Sequence, residues 1–423
     1  MGAVTRRSPF SSTPQGPRRH RPDYLLLILA ALLLAIGLVV VYAISPALIV
    51  EKHVSGSFYV TRQLVAVGLG VIVFGVAAAI PLNRWKGMHT ILLVAAAVIT
   101  LAALVQPTNP DYPAHRWIRL GPLSFQSVEL LKFALLIWVS AFLSRILARG
   151  ETIKDNFATF KPLIICLGIV GVVVAFVQSD FGSTAVIVAM MTAMVFVAGM
   201  PMKRLVFIGA IVAIVGVLAI SAVPYRRERI AAFVHQSSST NCSSLQTGYQ
   251  ACRALVAVGS GGMIGLGLGN SVQAYGYLPE AENDSIFAIY AEKFGFVGVA
   301  VLLGLMLAFF SRIKRIMELA PDEFTRLLAT GVFAWLAVQT LINVGAMLGL
   351  LPLKGITLPF ISYGGTSVLF VMAAVGLLFN ISRYTLFSVP RQSDVSNGRT
   401  GYENSGDRRR VRGAYHPGSG SRA

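Results

Sequence analysis

Long apolar stretches alternate with short polar segments along most of this chain. Windows of roughly 19 mainly apolar residues lie at 24–46, 63–81, 88–106, 128–147, 163–178, 182–200, 203–223, 286–310, 327–350 and 360–381. A helix of about 20 apolar residues is long enough to cross the hydrocarbon core of a bilayer. The pattern therefore predicts an all-α polytopic membrane protein with ten transmembrane helices. Its largest connecting segment, residues 224–285, is predicted to be an extracytoplasmic loop between the seventh and eighth helices.

The composition agrees with this fold class and excludes a soluble domain. The chain has 423 residues, a mean hydropathy of +0.70, 55% hydrophobic residues and 13% charged residues. Soluble domains average about 25% charged residues. The net charge of +18 is compatible with nucleic-acid binding, but many of the basic residues flank the predicted spans. Anionic lipid headgroups are therefore the expected partner of these charges, and no nucleic acid is expected.

The basic residues also predict how the chain is oriented in the membrane. Residues 1–23 contain several arginines and resemble the start of a signal peptide, but the apolar run that follows is too long, so we expect an uncleaved first span. Lys and Arg concentrate in alternate segments, which places both termini in the cytoplasm. Residues 388–423 are rich in Arg, Ser and Gly and are predicted to be a disordered cytoplasmic tail. The membrane domain is then 24–387.

Ionisable residues interrupt the apolar pattern at 278–295, in the sequence LPEAENDSIFAIYAEKFG. Charged side chains are costly at membrane depth, so they indicate a functional cavity unless each has a structural partner. Those that need such an explanation are Glu280, Asp284, Glu292 and Lys293. Asp284 is the first candidate for chemistry, with Glu282 and Glu292 as alternatives.

The position of Pro279 predicts where the eighth span begins. Proline favours the first turn of a helix, so Glu280 and Asp284 are expected one turn apart at the start of this helix. A helix N-terminus favours negative charge. The two acids therefore have two open interpretations: they cap the helix, or they take part in a reaction.

Further polar residues fall on the predicted outer side of the membrane. They are Arg62, Arg116, Arg119, Asp180, Arg226, Arg227, Arg229 and Lys354. Glu129 and Lys132, at the outer end of the fourth span, have the i, i+3 spacing of an ion pair on one helix face. This pair either neutralises itself at a helix contact or helps to form a polar substrate site, and the two interpretations are compatible.

The glycine-dense segment 258–271, VGSGGMIGLGLGNS, lacks the G-K-[ST] of a nucleotide-phosphate loop. Its small residues favour a re-entrant or interfacial stretch, whose backbone must be covered by protein or by a wet cavity. The three cysteines do not form a disulfide framework. Cys166 is expected to pack in an apolar span, and a disulfide between Cys242 and Cys252 in the outer loop is left open. No spacing of His, Cys and Asp indicates zinc.

Several motifs follow one another in a distinctive order. The most specific are NVGAMLGLLPLKGITLPFISYGGTS, GLGNSVQAYGYLPEAENDSIFAI and HRWIRLGPLSFQSVELLKF, supported by FYVTRQ, QSDFGS and PYRRERI. Over roughly residues 24–387 the chain thereby resembles the SEDS family, the ten-span cell-wall glycosyltransferases that include FtsW, RodA and SpoVE. GLGNSVQ followed by YLPEA, an N-terminal extension and a basic tail are more similar to the division branch, FtsW, than to the elongation branch, RodA.

The resemblance implies a peptidoglycan glycosyltransferase that polymerises lipid II into glycan strands during septal cell-wall synthesis. Asp284 matches the family's essential acid, and we expect it to act as general base on the acceptor GlcNAc 4-hydroxyl, with undecaprenyl pyrophosphate as the leaving group. The residues that match the family's polar cavity are Arg62, Arg116, Glu129, Lys132 and Arg226. Further substrate-binding candidates on the same outer side are Asp180, Glu280 and Lys354.

The chain departs from the family pattern at a few positions. Ser127 and Val128 replace the proline and serine of the usual Q-P-S-E, Ala274 stands where a basic residue is frequent, and Ser285 replaces an aromatic residue after the essential acid. A serine-rich stretch, 237–244, replaces a segment that usually contains Asp, Pro and Trp. These departures affect the expected sugar contacts and leave the catalytic acid in place.

No cofactor is evident, and a divalent cation at the pyrophosphate is left open. The expected partners are lipid II, a class B penicillin-binding protein and other division proteins, at the septum in the bacterial inner (plasma) membrane. A lipid II flippase or transporter is the main alternative function, with a RodA-type elongation polymerase and a scaffold for division proteins as others. The clustering of charges on one face disfavours a transporter, which needs a polar path through the midplane.

Overall fold

A computed structural model describes residues 21–52, 55–105, 117–120, 123–149, 157–221, 227, 231, 233, 248–352 and 355–385. Most of the predicted N-terminal segment 1–23, the predicted tail 388–423 and part of the outer loop lie outside the described residues. All described residues belong to one compact unit, which ends at Thr385.

The described part of the chain is almost entirely helical, so the predicted all-α fold class is confirmed. Its elements are α1 (Tyr24–Lys52), α2 (Phe58–Ala79), α3 (Leu82–Val105), β1 (Trp117–Leu120), β2 (Leu123–Gln126), α4 (Ser127–Ala148), α5 (Phe157–Val172), α6 (Phe181–Val197), α7 (Met202–Ser221), α8 (Tyr249–Ser260), α9 (Ile286–Glu318), α10 (Glu323–Met347) and α11 (Gly365–Ser382). A short π-helical segment, Val173–Val177, continues α5.

Seven of the described helices are long and apolar enough to cross a membrane, namely α1 to α4 and α9 to α11. Two shorter apolar helices lie at Lys161–Val177 and Phe181–Val197, and α7 covers the seventh predicted span. Each predicted span thus coincides with a helix, and the chain is a multi-pass membrane protein. The total of ten spans stays a prediction.

The expected helical start at Pro279 is wrong. Glu280 has a left-handed φ of 53°, which an α-helix cannot contain, and the chain turns until Ser285. Helix α9 begins only at Ile286, so Glu280 and Asp284 do not lie on one helix face. The tenth helix is also shorter than predicted, since it begins at Gly365 after an irregular segment.

Contacts between distant parts of the chain identify the two ends of the helix bundle. Asp23 pairs with Arg312 of α9 at 2.5 Å, and its main-chain N–H donates to Ser382 Oγ of α11. The start of α1 and the ends of α9 and α11 therefore meet at one end. We call the opposite end, which carries residues 248–285, the loop end. That the loop end faces outward stays a prediction.

Helices α4, α10 and α11 form the centre of the bundle. Most residues in their apolar windows are buried, whereas most of those in α2, α3 and α9 face outward. Helix α11 packs closely on α2, where a Cβ at Gly376 would lie 2.6 Å from the Phe74 carbonyl oxygen. Small residues of this kind allow two membrane helices to approach each other.

The glycine-rich segment 261–270 lies along α9 at the loop end. Helix α9 is interrupted at Gly295, which has a φ of 65° and a ψ of −166°. Four main-chain hydrogen bonds of 2.9–3.0 Å join the two segments: Phe296 N to Gly262 O, Val297 N to Met263 O, Leu266 N to Glu292 O and Gly267 N to Lys293 O. The prediction that protein covers the backbone of this segment is confirmed for these groups.

Two glycines of this segment provide a matched test of the pairing. Gly265 and Gly267 both have a left-handed φ, but only at Gly265 would a Cβ overlap the Lys293 carbonyl, whereas the space at Gly267 is open. We expect Gly267→Ala to cost about 1–2 kcal/mol from its backbone conformation. Gly265→Ala should cost clearly more, because α9 must move away. The thermal unfolding midpoints of the two purified variants measure this difference, and equal midpoints would contradict it.

Candidate functional site

Asp284 lies in the last turn before α9, at the loop end. Its side chain is largely buried, with 9% of the residue exposed. Ser285 is the N-cap residue of α9, but its hydroxyl donates back to the Pro279 carbonyl at 2.9 Å. The turn is therefore closed on itself before the helix begins, and this fixes the direction in which the chain enters α9.

Three consecutive main-chain carbonyls of this turn accept hydrogen bonds from α10 and from the 355–364 segment. Tyr363 N donates to Glu282 O at 2.9 Å, Ser362 Oγ donates to Asn283 O at 2.7 Å, and Asn343 Nδ2 donates to Asp284 O at 2.8 Å. We call Asn343, Ser362 and the Tyr363 N–H the carbonyl clamp. Because buried amide and hydroxyl donors hold every peptide in the row, the main chain that carries Asp284 has little freedom to rotate.

The carbonyl clamp is itself fixed to the central helices. Asn343, on α10, donates a second hydrogen bond to Ile356 O at 2.7 Å. Ser362 Oγ accepts from Leu358 N at 2.7 Å, and the ring of Tyr363 packs edge-on against Tyr59 of α2, with centroids 5.2 Å apart. Four parts of the fold, α2, α10, the 355–364 segment and the turn before α9, therefore meet at Asp284.

Helix α8 supplies Gln250, whose side chain faces the Asp284 carboxylate. Gln250 Nε2 lies 3.0 Å from Ser285 Oγ and 3.4 Å from Asp284 Oδ1. The second distance is long for a hydrogen bond, so Gln250 orients the carboxylate only weakly in this state. Cys252, on the same helix, is disulfide-bonded, whereas Cys166 is free. Cys242 lies outside the described residues.

Arg253 is a candidate that the sequence analysis missed. Its guanidinium lies 5.2 Å from the ring centroids of both Tyr249 and Tyr277, and its Nε is buried without a hydrogen-bond partner among the described residues. Arg253 is three residues after Gln250 on α8, so the two side chains share a helix face. A single arginine in a mainly apolar helix that follows the GYQ motif is the sequence signal that points to it.

The predicted ion pair between Glu129 and Lys132 is present. Lys132 Nζ lies 2.7 Å from Glu129 Oε1 and donates to Gln339 Oε1 of α10 at 3.1 Å. Its ammonium is also 5.0 Å from the Trp335 ring centroid. Both charged residues are at least 97% buried, and Glu129 Oε2 has no described hydrogen-bond partner. The pair connects α4 to α10 and is almost completely shielded from the surface.

The other predicted substrate-binding residues have more varied positions. Arg62 is exposed and stacks on the Phe58 ring at 4.2 Å, one turn from Tyr59. Asp180 caps α6, because its two carboxylate oxygens accept from the Ser183 N–H and hydroxyl at 2.9 Å. Glu280 accepts from the Asn283 side-chain amide.

Three predicted site residues, Arg116, Arg226 and Lys354, lie outside the described residues. Within the described ranges, no three His, Cys, Asp or Glu side chains come together as a metal site would require. The described site is therefore a clamped carboxylate beside an amide, an arginine and two tyrosines. Such a site can accept a proton and attract an anion next to it.

The chain is similar in sequence to a family of known proteins over most of its length. The sequence profile of the FtsW/RodA/SpoVE family, described as cell cycle proteins, matches residues 23–386. A probable peptidoglycan glycosyltransferase FtsW of Saccharophagus degradans is 35% identical over 381 residues, which cover 89% of this chain and 95% of that protein. Stage V sporulation protein E of Bacillus subtilis is 35% identical over 373 residues, covering 88% and 99%.

Solved structures give the same relationship. A chain of a peptidoglycan synthase complex, described as coordinating polymerisation and crosslinking, matches with a TM-score of 0.71 and 27% identity, covering 87% of this chain and 99% of that one. The rod shape determining protein RodA of Thermus thermophilus matches with a TM-score of 0.61 and 26% identity, covering 86% and 98%. These likenesses span nearly all of the described helices.

The Glu129–Lys132 pair generates a stability prediction. Removing one partner of a buried pair leaves an uncompensated charge and costs about 3–5 kcal/mol. We expect Lys132→Met and Glu129→Leu each to lower the unfolding midpoint strongly, and the double variant to recover most of the loss. Thermal unfolding of the four purified proteins forms the double-mutant cycle. Additive losses in the double variant would show that the two charges do not act as a pair.

Proposed function

Because the chain belongs to the FtsW/RodA/SpoVE family of cell cycle proteins, we propose that it is a peptidoglycan glycosyltransferase that polymerises lipid II during septal cell-wall synthesis. Several relatives at 33–36% identity are named as probable peptidoglycan glycosyltransferases, which supports this activity. The observation that carries the proposal is the carbonyl clamp, which fixes the backbone of one acid at the loop end. A rigid carboxylate in a polar recess is the arrangement that proton transfer requires.

In the proposed reaction, Asp284 is the general base. The 4-hydroxyl oxygen of the acceptor GlcNAc attacks the anomeric carbon of the donor MurNAc, and the hydroxyl proton passes to the Asp284 carboxylate. The bond between the anomeric carbon and the pyrophosphate oxygen breaks, and undecaprenyl pyrophosphate leaves with the electron pair. Aspartate is a weak base, so the proton is expected to move late, when the new bond has made the hydroxyl acidic.

Cationic side chains would stabilise the charge that grows on the departing pyrophosphate. Arginine suits this role because its planar fork binds phosphate oxygens in pairs. Arg116, Arg226 and Arg62 remain the candidates from the sequence. Arg253 joins them because its Nε is buried without a hydrogen-bond partner among the described residues and because it lies one turn from Gln250 on α8. Lys132 is less suited, since its ammonium already serves Glu129 and Gln339.

The setting of this reaction follows from the same layout. Lipid II would keep its polyprenyl chain in the bilayer while its sugars reach the loop end, so we place that end outside the bacterial inner membrane and both termini in the cytoplasm. A class B penicillin-binding protein is the proposed partner. The structural relative of a peptidoglycan synthase complex supports such an assembly, which would also include other division proteins.

Asp284→Asn tests the catalytic assignment with little change in shape. We expect this variant to insert and fold normally but to form glycan from labelled lipid II at least about 10²-fold more slowly, the usual contribution of a general base. Glu280→Gln is the matched control, because its side chain binds Asn283 and should lose little activity. Gel analysis of the product, with and without the partner transpeptidase, measures both.

Polymerisation by Asp284→Asn at the wild-type rate would refute the assignment. The same assay separates the proposed enzyme from a lipid II flippase. A flippase would move labelled lipid II across vesicle membranes unchanged, and wild-type protein would then yield no polymer. An elongation polymerase would show the same chemistry, so the septal role is tested separately by the position of a fluorescent fusion in dividing cells.

The carbonyl clamp predicts a second effect on activity, through Asn343. Asn343→Ala removes the hydrogen bonds to Asp284 O and Ile356 O, so the carboxylate loses its fixed position. We expect kcat to fall about tenfold or more while KM changes little, because a small misplacement of the base slows the chemical step. Rescue by Asn343→Gln is not expected, since the longer side chain displaces the turn.

Asn380 provides the matched control for this variant. It is also a buried asparagine, and it donates to two carbonyls, Ala77 O and Ile80 O, away from the loop end. Asn380→Ala should destabilise the protein by a similar ~1–3 kcal/mol and leave kcat near the wild-type value. If both variants lower kcat equally, Asn343 acts through stability alone and the positioning role is refuted.

A further inference from the structure

Glu292 and Lys293 are neighbours in sequence but have different surroundings. The Glu292 carboxylate accepts from the Ser271 hydroxyl and from the main-chain N–H groups of Val272 and Gln273, at 2.5–3.1 Å. These donors account for its burial, so Glu292 is a structural residue that holds residues 271–273 against α9. Lys293 is almost as buried, with 2% exposed, but it lies at the wall of a cavity.

This cavity lies between α1, α9 and residues 268–275 and has a volume of about 220 Å³. Its lining includes Val39, Tyr42, Ala43 and Pro46 of α1, opposite Leu268 and Tyr275. Val39 and Tyr42 are 47% and 68% exposed, although α1 is an apolar membrane span. The mouth of the cavity therefore opens on a surface that contacts lipid.

We propose that this cavity binds an anionic membrane phospholipid, with its phosphodiester at the Lys293 ammonium and one acyl chain along α1. An ammonium has three donors, and within the described residues the Leu268 carbonyl takes one at 2.6 Å. Phosphate oxygens are good acceptors for the others. A charge buried at membrane depth needs such a partner, and basic residues at the membrane surface attract anionic lipids.

The lining distinguishes the occupant from two alternatives. Lys293 is the single charged residue among the described residues that line the cavity, and the nearby Glu292 carboxylate is turned to its own donors. A zwitterionic headgroup carries a positively charged amine, and the described lining has no carboxylate to pair with it. A soluble anion would find apolar walls and a mouth among lipid chains. This inference is independent of the proposed reaction, because Asp284 takes no part in the cavity.

Binding of lipid to the purified, delipidated full-length protein tests the proposal. Native mass spectrometry is used to follow phosphatidylglycerol and phosphatidylcholine, added separately. We expect phosphatidylglycerol to bind preferentially, and Lys293→Met to weaken its binding about tenfold or more, the value of one charge-assisted hydrogen bond. Lys314→Met, an exposed lysine on the same helix, is the charge control and should bind as the wild type does.

Ala43→Phe is a second variant that fills the cavity and leaves Lys293 in place. It should also abolish phosphatidylglycerol binding, so the test remains decisive even where Lys293→Met disturbs folding. Equal binding of the two lipids to the wild type, or unchanged binding to Ala43→Phe, would overturn the proposal. Displacement of the lipid by inorganic phosphate would identify a soluble-anion site, and exclusive binding of an added polyprenyl phosphate would identify a different lipid. Either result also overturns it.

Discussion

The structure of the loop end depends on one constraint: a main-chain polar group near membrane depth must find its hydrogen-bond partner inside the protein. Residues 261–285 are irregular, so they cannot satisfy their own peptides as a helix does. Two devices meet the constraint. The break at Gly295 exposes peptide groups of α9 to which the glycine-rich segment bonds. The carbonyl clamp then holds the turn that follows. Both sets of hydrogen bonds allow non-helical backbone to lie at the loop end, where it carries the Asp284 side chain.

This arrangement separates the groups that hold the main chain at Asp284 from the carboxylate to which we assign the proton transfer. The clamp binds main-chain carbonyls, so the backbone is fixed without drawing on the carboxylate. The carboxylate instead lies near Gln250 of α8, through a long and weak contact. Proton transfer in the transition state needs a base of fixed position, and the two central helices α10 and α11 supply that rigidity through the 355–364 segment. In the proposed reaction, the Gln250 side chain on α8 can then adjust when substrate enters.

The sequence predicts the parts of this fold that depend on local pattern. Hydropathy alone locates the helices at the ten predicted spans, since membrane spans are read from length and apolar content, and the i, i+3 spacing predicts the Glu129–Lys132 pair. The failures lie where tertiary contacts override local preference. Pro279 favours a helix, but Glu280 has a left-handed φ. The main-chain N–H groups of Asn283 and Ser285 both donate to the Glu280 carbonyl and close a turn in place of the helix. The contact of Arg253 with Tyr277 and the walls of the Lys293 cavity come from residues distant in sequence, so a local pattern can indicate the two residues but not their surroundings.

The distribution of buried charge connects the fold to its chemistry. In the described ranges, the buried Asp, Glu and Lys residues are Glu129, Lys132, Asp180, Glu282, Asp284, Glu292 and Lys293. All of them lie near the loop end, in the first turns of α4 and α9, at the cap of α6 or in the turn before α9. A transporter needs polar groups near the midplane that can be reached alternately from both sides. Buried charges gathered at one end instead favour chemistry at a single membrane surface, where a lipid-linked substrate can keep its chain in the bilayer while its headgroup reacts.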